Sequence, residues 1–187
     1  MIEDEKKDDK SSTLKDILDL ILYFGTVVLI VLLIYNFVGQ QVEVEGSSME
    51  NTLSDGNRLI LEKVTYRFHE PERFDIIVFR PNEDIRNEYY IKRIIGLPGE
   101  TIQILGNKIY IDGEVLEEHY GNEPMRDSGM AEEPVILGED EYFVLGDNRN
   151  HSTDSRFEVG KVKESAIVGR TFVRIWPIHK MELLKHQ

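Results

Sequence analysis

The chain has 187 residues, no cysteine and a formal net charge of −13. The absence of cysteine excludes a thiol nucleophile, a disulfide framework and thiolate metal sites. The acidic charge, without any block of Lys or Arg, argues against a nucleic-acid partner, because binding phosphates requires a basic face.

The first strong feature along the chain is an apolar segment near the N-terminus. No charged residue occurs within residues 20–42, and a helix of roughly 20 apolar residues is long enough to cross a bilayer. One alternative is a cleavable signal peptide, but residues 36–41 offer no convincing small-residue cleavage site. A buried helix of a soluble protein is the other alternative. We predict a retained transmembrane helix, which together with a linker occupies residues 17–42.

The tail before this segment bears on topology. It carries four Lys and seven acidic residues up to Asp19, and no basic residue occurs between the apolar segment and Arg58. Since basic residues tend to stay on the cytoplasmic side, we predict a single-pass protein of the cell membrane with its N-terminus in the cytoplasm and residues 43–187 outside. Residues 1–16 are polar and charged enough to be predicted as disordered.

After the apolar segment, short runs rich in Ile, Val, Tyr and Phe alternate with turn residues, a pattern typical of β-strands. The predicted strands are 41–46, 58–63, 74–80, 88–95, 101–105, 108–111, 142–145 and 168–176. The pairs Gly106-Asn107 and Asp112-Gly113 suit two-residue hairpin turns, so residues 101–116 are predicted as three short strands.

The expected fold of residues 43–187 is therefore mostly β, an antiparallel and barrel-like sheet domain that follows one N-terminal transmembrane helix. Residues 117–140 interrupt the strand pattern with several Gly, Pro and acidic residues. We predict a long surface loop or a small insertion there.

Ser48 is the candidate nucleophile, and a serine hydroxyl needs a neighbouring base during its attack on a carbonyl. Histidine is the usual base, and His151 is the one histidine that lies in a run resembling a site, with Asp154 three residues later. A triad of Ser48, His151 and Asp154 is conceivable on residue types alone.

Lys92 is the alternative base, which can act only when it is neutral. Its ordinary pKa of about 10.4 must fall, and burial lowers the pKa of a lysine by disfavouring the charged form. Lys92 lies in an apolar strand, where alternation places it on one face with Tyr90 and Ile94. The strand pattern alone favours the other interpretation, that Lys92 points to solvent from an edge strand.

Three runs together resemble the active-site boxes of type I signal peptidases, the membrane-bound serine proteases that remove signal peptides. Residues 48–53 match the serine box except at Asn51, where the family normally has proline. Residues 92–99 match the lysine box completely, and residues 146–156 match a third box. Residues 74–81 resemble a fourth box, with Phe74 where glycine is usual.

This resemblance implies a role for each matching residue. Ser48 would be the nucleophile and its backbone N–H an oxyanion donor, Lys92 the general base, and Ser152 the hydroxyl that orients the lysine. Gly46 lacks the hydroxyl that some relatives use as a second oxyanion donor. Site support is expected from Arg93, Asp147, Asp154 and Arg156, and contact with the substrate cleft or the membrane surface from Met49 and Leu53. For the four charged residues, a purely structural salt-bridge network is an equal alternative.

The implied function is hydrolysis of the bond that releases signal peptides from exported preproteins, after a small residue and through an acyl-enzyme, without cofactor or metal. The expected partners are preproteins, membrane lipid and the export machinery. Two alternatives are a peptidase dedicated to one exported substrate and a catalytically weak, membrane-tethered peptide-binding protein. A self-cleaving repressor also uses Ser and Lys, but the apolar segment and the lack of a helix-turn-helix pattern argue against it.

Overall fold

The computed structural model describes residues 2–33, 39–81 and 88–184. The chain divides into two compact units, Met1–Gly39 and Gln40–Gln187.

The first unit contains helix α1, Ile2–Leu33. It begins within the tail that we predicted to be disordered; Glu and Lys have favourable helix propensities, and the apolar segment that follows can nucleate the helix. Large apolar side chains between Ile17 and Leu32 are exposed. Within the described ranges, no helix has both the length and the apolar character needed to cross a membrane. The predicted span also includes residues 34–38, which lie outside the described residues, and residues 40–42, which form a strand.

The second unit is built from strands and short 3-10 helices. Its strands are β1 Gln40–Glu43, β2 Arg58–Glu62, β3 Ile76–Phe79, β4 Tyr90–Gly96, β5 Thr101–Leu105, β6 Lys108–Ile111, β7 Glu114–Val115, β8 Val135–Ile136, β9 Glu141–Leu145, β10 Val162–Lys163, β11 Ile167–Trp176 and β12 Glu182–Leu183. The 3-10 helices are Thr65–Arg67, Gly129–Glu132, Glu164–Ala166 and Ile178–Lys180.

The strands form two antiparallel sheets. The larger sheet has the order β1-β2-β11-β3-β4-β9-β10, with β12 paired to β11, and the smaller has the order β7-β6-β5-β8. The mostly β, antiparallel fold is thus confirmed. All eight predicted strands are present with ends shifted by at most three residues, whereas the two-residue strands β8, β10 and β12 were not predicted.

The hairpins around β6 also agree with the prediction. Gly106 has φ +61°, and Asp112 and Gly113 have φ of +52° and +86°. Two successive positive φ angles define a type I′ turn, whose twist matches that of the flanking strands. The segment predicted as a loop or insertion is largely irregular, but it adds β8 to the edge of β5 through Ile102 and Val135.

Strand β4 lies in the middle of the larger sheet, between β3 and β9. Its neighbouring residues Ile94 and Ile95 are fully buried on opposite faces, each in a different core cluster. In β9, Val144 belongs to the cluster of Ile94 and Phe143 to the cluster of Ile95. Both faces of these two strands are therefore covered. A charged residue on β4 is removed from water, which explains why the solvent-facing interpretation of Lys92 is wrong.

Candidate active site

Ser48 and Lys92, separated by 44 positions in the sequence, meet at the end of β4. Lys92 Nζ donates a hydrogen bond to Ser48 Oγ at 2.9 Å and another to the carbonyl of Ile91 at 3.1 Å. The register of β3 and β4 pairs Ile77 with Lys92, and on the other side β4 pairs with β9 from the next residue, Arg93. A hydroxyl in contact with an amine at this distance can pass its proton directly to a neutral lysine.

Burial controls the protonation of Lys92. The residue is 5% exposed, its ammonium lies 5.2 Å from the centre of the Tyr90 ring, and burial lowers the pKa of Lys92 to about 8. The carboxylates of Asp154 and Asp147 act in the opposite direction, because negative charge favours the ammonium. A substantial fraction of Lys92 is therefore neutral near pH 8.

Ser48 lies in a loop that connects β1 to β2. Gly46, at φ +84°, adopts a backbone conformation that glycine tolerates without strain, and its N–H donates to Asp55 Oδ1 at 2.7 Å. The Gly46 N–H is thus already used within the loop. The loop continues as a tight turn in which the N–H of Leu53 donates to the carbonyl of Met49 at 2.7 Å.

Met49 and Leu53 were predicted to contact the substrate cleft or the membrane surface, and both side chains are buried. They are 1% and 0% exposed and belong to a core cluster with Val44, Leu59 and Ile76. Leu53 is therefore a core residue that fixes the end of the nucleophile loop, because burying its apolar side chain is favourable. Met49 belongs to the same core, although it also lines the cavity in front of Ser48.

The third sequence run contacts the nucleophile loop through Asn148. Its backbone N–H donates to the carbonyl of Ser48 at 3.0 Å, and its side-chain Nδ2 donates to the carbonyl of Ser47 at 3.1 Å. Sequence reasoning gave Asn148 no role, although it lies inside the matched run. These two bonds fix the backbone on which the nucleophile is mounted.

Gly146 and Ser152 lie directly behind this contact. A Cβ atom at Gly146 would approach Ser152 Oγ to 2.2 Å and the carbonyl oxygen of Ser48 to 2.5 Å. The hydroxyl of Ser152 is buried and makes no hydrogen bond with any described residue. Ser152 thus lies beside the nucleophile loop, but its hydroxyl makes no hydrogen bond with Lys92, and its role in orienting the lysine stays a prediction.

Arg93 and Asp147 form one of two buried ion pairs behind the dyad. Arg93 Nε and Nη2 donate to the two oxygens of Asp147 at 2.8 and 2.7 Å, and both side chains are almost completely buried. Asp147 also accepts a hydrogen bond from Thr52 Oγ1 at 2.5 Å. This bidentate pair links β4 to the nucleophile loop and to the third run.

Asp154 and Arg156 form the second pair. Arg156 Nε and Nη2 donate to the two carboxylate oxygens of Asp154 at 2.9 Å each, and the N–H of Gly146 donates to the same carboxylate at 3.1 Å. Asp154 is therefore engaged with Arg156. His151 is exposed, and Lys92 donates the hydrogen bond that Ser48 Oγ accepts. The geometry favours the Ser48–Lys92 dyad over the histidine triad.

A cavity of about 660 Å³ opens in front of the dyad. Its lining combines Ser48 and Lys92 with backbone and side chains of β1, the edge strand that carries Gln40, Val42 and Glu43. An edge strand presents unpaired N–H and C=O groups, which can pair with an extended peptide. The cavity therefore has the size and the backbone chemistry of a peptide-binding cleft.

Comparisons with known proteins identify the family that this chain resembles. A family model described as "Signal peptidase, peptidase S26" matches residues 17–176. The chain is 44% identical over 163 residues to signal peptidase I of Leptolyngbya laminosa, covering 84% of this chain and 78% of that protein. It is 40% identical over 164 residues to the probable signal peptidase I-2 of Synechocystis sp., covering 85% and 73% respectively. A crystal structure of a signal peptidase I from Enterococcus faecalis V583 is 37% identical and covers 55% of this chain and 97% of that chain, with a TM-score of 0.43.

Proposed function

The chain belongs to the signal peptidase family, peptidase S26, and we propose that it is a signal peptidase I that cleaves signal peptides from exported preproteins. It is a serine endopeptidase. The observation that carries the proposed chemistry is the 2.9 Å contact between Ser48 Oγ and a buried Lys92. The partners that we propose are exported preproteins, which supply the peptide, and the export machinery that delivers them.

In the proposed reaction, Ser48 Oγ attacks the carbonyl carbon of the last residue of the signal peptide while neutral Lys92 takes the hydroxyl proton. The backbone N–H of Ser48 stabilises the negative oxygen of the tetrahedral intermediate. Lys92 then returns the proton to the leaving amine of the mature protein, which leaves the signal peptide as an ester on Ser48. A water molecule, deprotonated by Lys92, hydrolyses this ester and restores the serine.

The supporting residues have separate proposed roles. Ser152 would orient the lysine: its buried hydroxyl lies beside the nucleophile loop, and a buried polar group is favourable only once it finds a partner. Arg93 and Asp147, like Arg156 and Asp154, would fix the backbone of the third run. The two carboxylates also set an upper limit on how far burial can lower the pKa of Lys92.

We also propose that residues 17–42, as a transmembrane helix and linker, anchor the enzyme to the cell membrane, with the N-terminus in the cytoplasm and residues 43–187 outside. The exposed apolar side chains of α1 between Ile17 and Leu32 support contact with lipid, because a row of apolar residues is costly in water. Resistance to alkaline extraction from membranes, and digestion of residues 43–187 by external protease in spheroplasts, would support this topology. Release of the intact chain by alkali would contradict it.

The catalytic proposal is tested with the full chain in detergent and a preprotein that has small residues before the cleavage site. We expect Ser48→Ala and Lys92→Ala to abolish cleavage. Because Lys92 must be neutral and burial lowers its pKa to about 8, kcat/KM of the wild type should fall about tenfold for each pH unit below that value. Normal cleavage by either variant, or a wild-type profile that is flat between pH 6 and 9, would contradict the proposed dyad.

A further inference from the structure

A five-residue segment outside the matched runs crosses the back of the site. We call residues 118–122 the strap. It follows the short strand β7 of the smaller sheet and lies in residues 117–140, which the sequence predicted as a long surface loop or a small insertion. Three of its side chains, Glu118, Tyr120 and Asn122, each contact a different part of the catalytic framework.

Tyr120 contacts the strand that carries the base. The guanidinium carbon of Arg93 lies 3.6 Å from the centre of the Tyr120 ring, while the edge of that guanidinium is engaged by Asp147. Phe74 packs against Tyr120 with ring centres 5.2 Å apart. The aromatic face thus covers the Arg93–Asp147 pair, and an attraction between ring and cation is strengthened where water is excluded.

Glu118 contacts the third run. Arg149 Nη1 and Nη2 donate to its two oxygens at 2.8 and 2.9 Å, and Arg149 Nε donates to the carbonyl of Gly146 at 3.1 Å. Burial acts to raise the pKa of Glu118, but the hydrogen bonds and charge of Arg149 outweigh it and lower that pKa. Glu118 is therefore ionised and paired. It connects the strap to the glycine that lies behind Ser48.

Asn122 contacts the nucleophile loop across 71 positions of sequence. Its Oδ1 accepts a hydrogen bond from Asn51 Nδ2 at 2.7 Å. Its backbone N–H donates to the carbonyl of Asp147 at 3.3 Å. Asn51 is the position at which this chain departs from the serine box. In this chain, a side-chain bond to the strap restrains the loop at that position.

We propose that Glu118, Tyr120 and Asn122 are positioning residues, which hold the Ser48 loop, strand β4 and the third run in their catalytic register. This proposal rests on the proposed function of the dyad. Serine and lysine must keep their geometry within a fraction of an ångström, and displacing a reacting group by about 1 Å can cost 10²-fold in rate. The strap contacts all three segments, in addition to the β4–β9 ladder and the core packing of Met49 and Leu53 that also hold them together.

A series at Tyr120 tests the contact with Arg93. Tyr120→Phe keeps the aromatic face, whereas Tyr120→Leu keeps much of the volume without it. For preprotein cleavage by the full chain in detergent, we expect the Phe variant to keep kcat within about threefold. The Leu variant should lose roughly tenfold in kcat, with KM within about twofold and a thermal midpoint close to that of Phe. Rescue by Phe and a selective fall in kcat distinguish positioning from loss of folded protein.

A double-mutant cycle tests the bond between Asn51 and Asn122. Each Ala substitution should lower kcat by roughly fivefold, and the double variant should lose no more than one single variant, because the two side chains act through one bond. The matched control is the exposed ion pair of Glu123 and Arg126 in the same loop. Glu123→Ala, Arg126→Ala and their double variant should leave kcat unchanged.

Cleavage by the wild type and no cleavage by Ser48→Ala would support the dyad. With the dyad supported in this way, either of two further results would overturn the strap proposal. One is wild-type kcat in Tyr120→Leu. The other is a loss of activity that merely follows the fraction of unfolded protein, with independent effects at Asn51 and Asn122. If the wild type cleaves no preprotein, the proposed function fails, and the strap proposal fails with it.

Discussion

Ser48 and Lys92 touch, but the two side chains are positioned by different kinds of structure. Lys92 belongs to β4, which has a hydrogen-bonded strand on each side and core clusters on both faces. Ser48 belongs to a loop whose carbonyl groups are bound by Asn148, from a region 100 positions away in sequence. The base is fixed by local strand structure, whereas the nucleophile is fixed by long-range contacts with other loops.

This difference has a physical consequence for mutation. A strand within a sheet keeps its backbone when one side chain changes, because the ladder and the core are retained. A loop fixed by a few hydrogen bonds can shift when one of them is lost. Substitutions at Lys92 should therefore change chemistry and stability without moving the backbone, whereas substitutions around the Ser48 loop should change geometry.

The largest expected effect is that of Lys92→Met. The variant keeps an unbranched side chain that is one atom shorter and has no base, and we expect kcat to fall by about 10³-fold or more. The free energy of unfolding, by contrast, should rise. Lys92 has its pKa lowered from 10.5 to about 8 by burial, so the unfolded chain binds more protons than the folded one between these values. Below about pH 8 the full cost of burying the ammonium opposes folding, and Met removes that cost.

The expected gain for Lys92→Met is roughly 3 kcal/mol in the free energy of unfolding at pH 7, as an upper value. The gain should shrink as the pH rises from about 8 towards 10.5, and denaturant titrations of the full chain at pH 7 and pH 10 would measure it. Lys108, exposed on β6, provides the control, because Lys108→Met should change stability by no more than about 0.5 kcal/mol at either pH. A Lys92→Met protein that is less stable than wild type at pH 7 would refute this account of the base.

A smaller loss is expected for Gly146→Ala, which tests the nucleophile loop. The new methyl group would lie 2.5 Å from the carbonyl oxygen of Ser48, and that backbone atom can move only with the loop. We expect kcat to fall by about 10²-fold, since a displacement near 1 Å is enough. Gly138→Ala is the matched control, because its methyl group would meet mainly the flexible end of Glu141. If Gly146→Ala cleaves preprotein at the wild-type rate, the loop adapts more easily than its contacts indicate.

The contrast between strand β4 and the Ser48 loop also explains which features could be predicted from the sequence. Strand positions followed from runs of β-branched and aromatic residues, and the tight hairpins followed from Gly106-Asn107 and Asp112-Gly113, because both signals are local. The matched boxes indicated Ser48, Lys92 and the four charged residues expected to support them, but not which of the four pair with each other. The burial of Lys92 depended on where β4 lies in the sheet, which strand propensity alone does not specify.

Strand propensities and turn pairs could not predict the long-range contacts that loops make. The strap has no periodic pattern, so nothing in its sequence indicated that Tyr120 covers Arg93 or that Asn122 binds Asn51. Leu53 was predicted to contact substrate or membrane, but a single apolar residue in a loop has no period that would reveal which way it points. Asn148 lay inside a matched run, and that position, together with the general need of buried loop carbonyl groups for donors, could have suggested it.

The smallest expected effect is that of Asn148→Ala, which separates the two supports of the nucleophile loop. The substitution keeps the backbone bond to the carbonyl of Ser48 and removes the side-chain bond to the carbonyl of Ser47. A hydrogen bond of this kind contributes about 1 kcal/mol, and if that energy serves positioning, kcat should fall roughly fivefold with KM unchanged. Single-turnover cleavage of a preprotein would measure the acylation step directly.

Asn150 is the matched control: its side-chain amide bonds Pro124 and Arg126 rather than the serine loop, so Asn150→Ala should acylate at the wild-type rate. Equal rates for both variants would mean that the Ser48 loop keeps its shape without the side chain of Asn148, and the contrast between a strand-fixed base and a contact-fixed nucleophile would then be wrong.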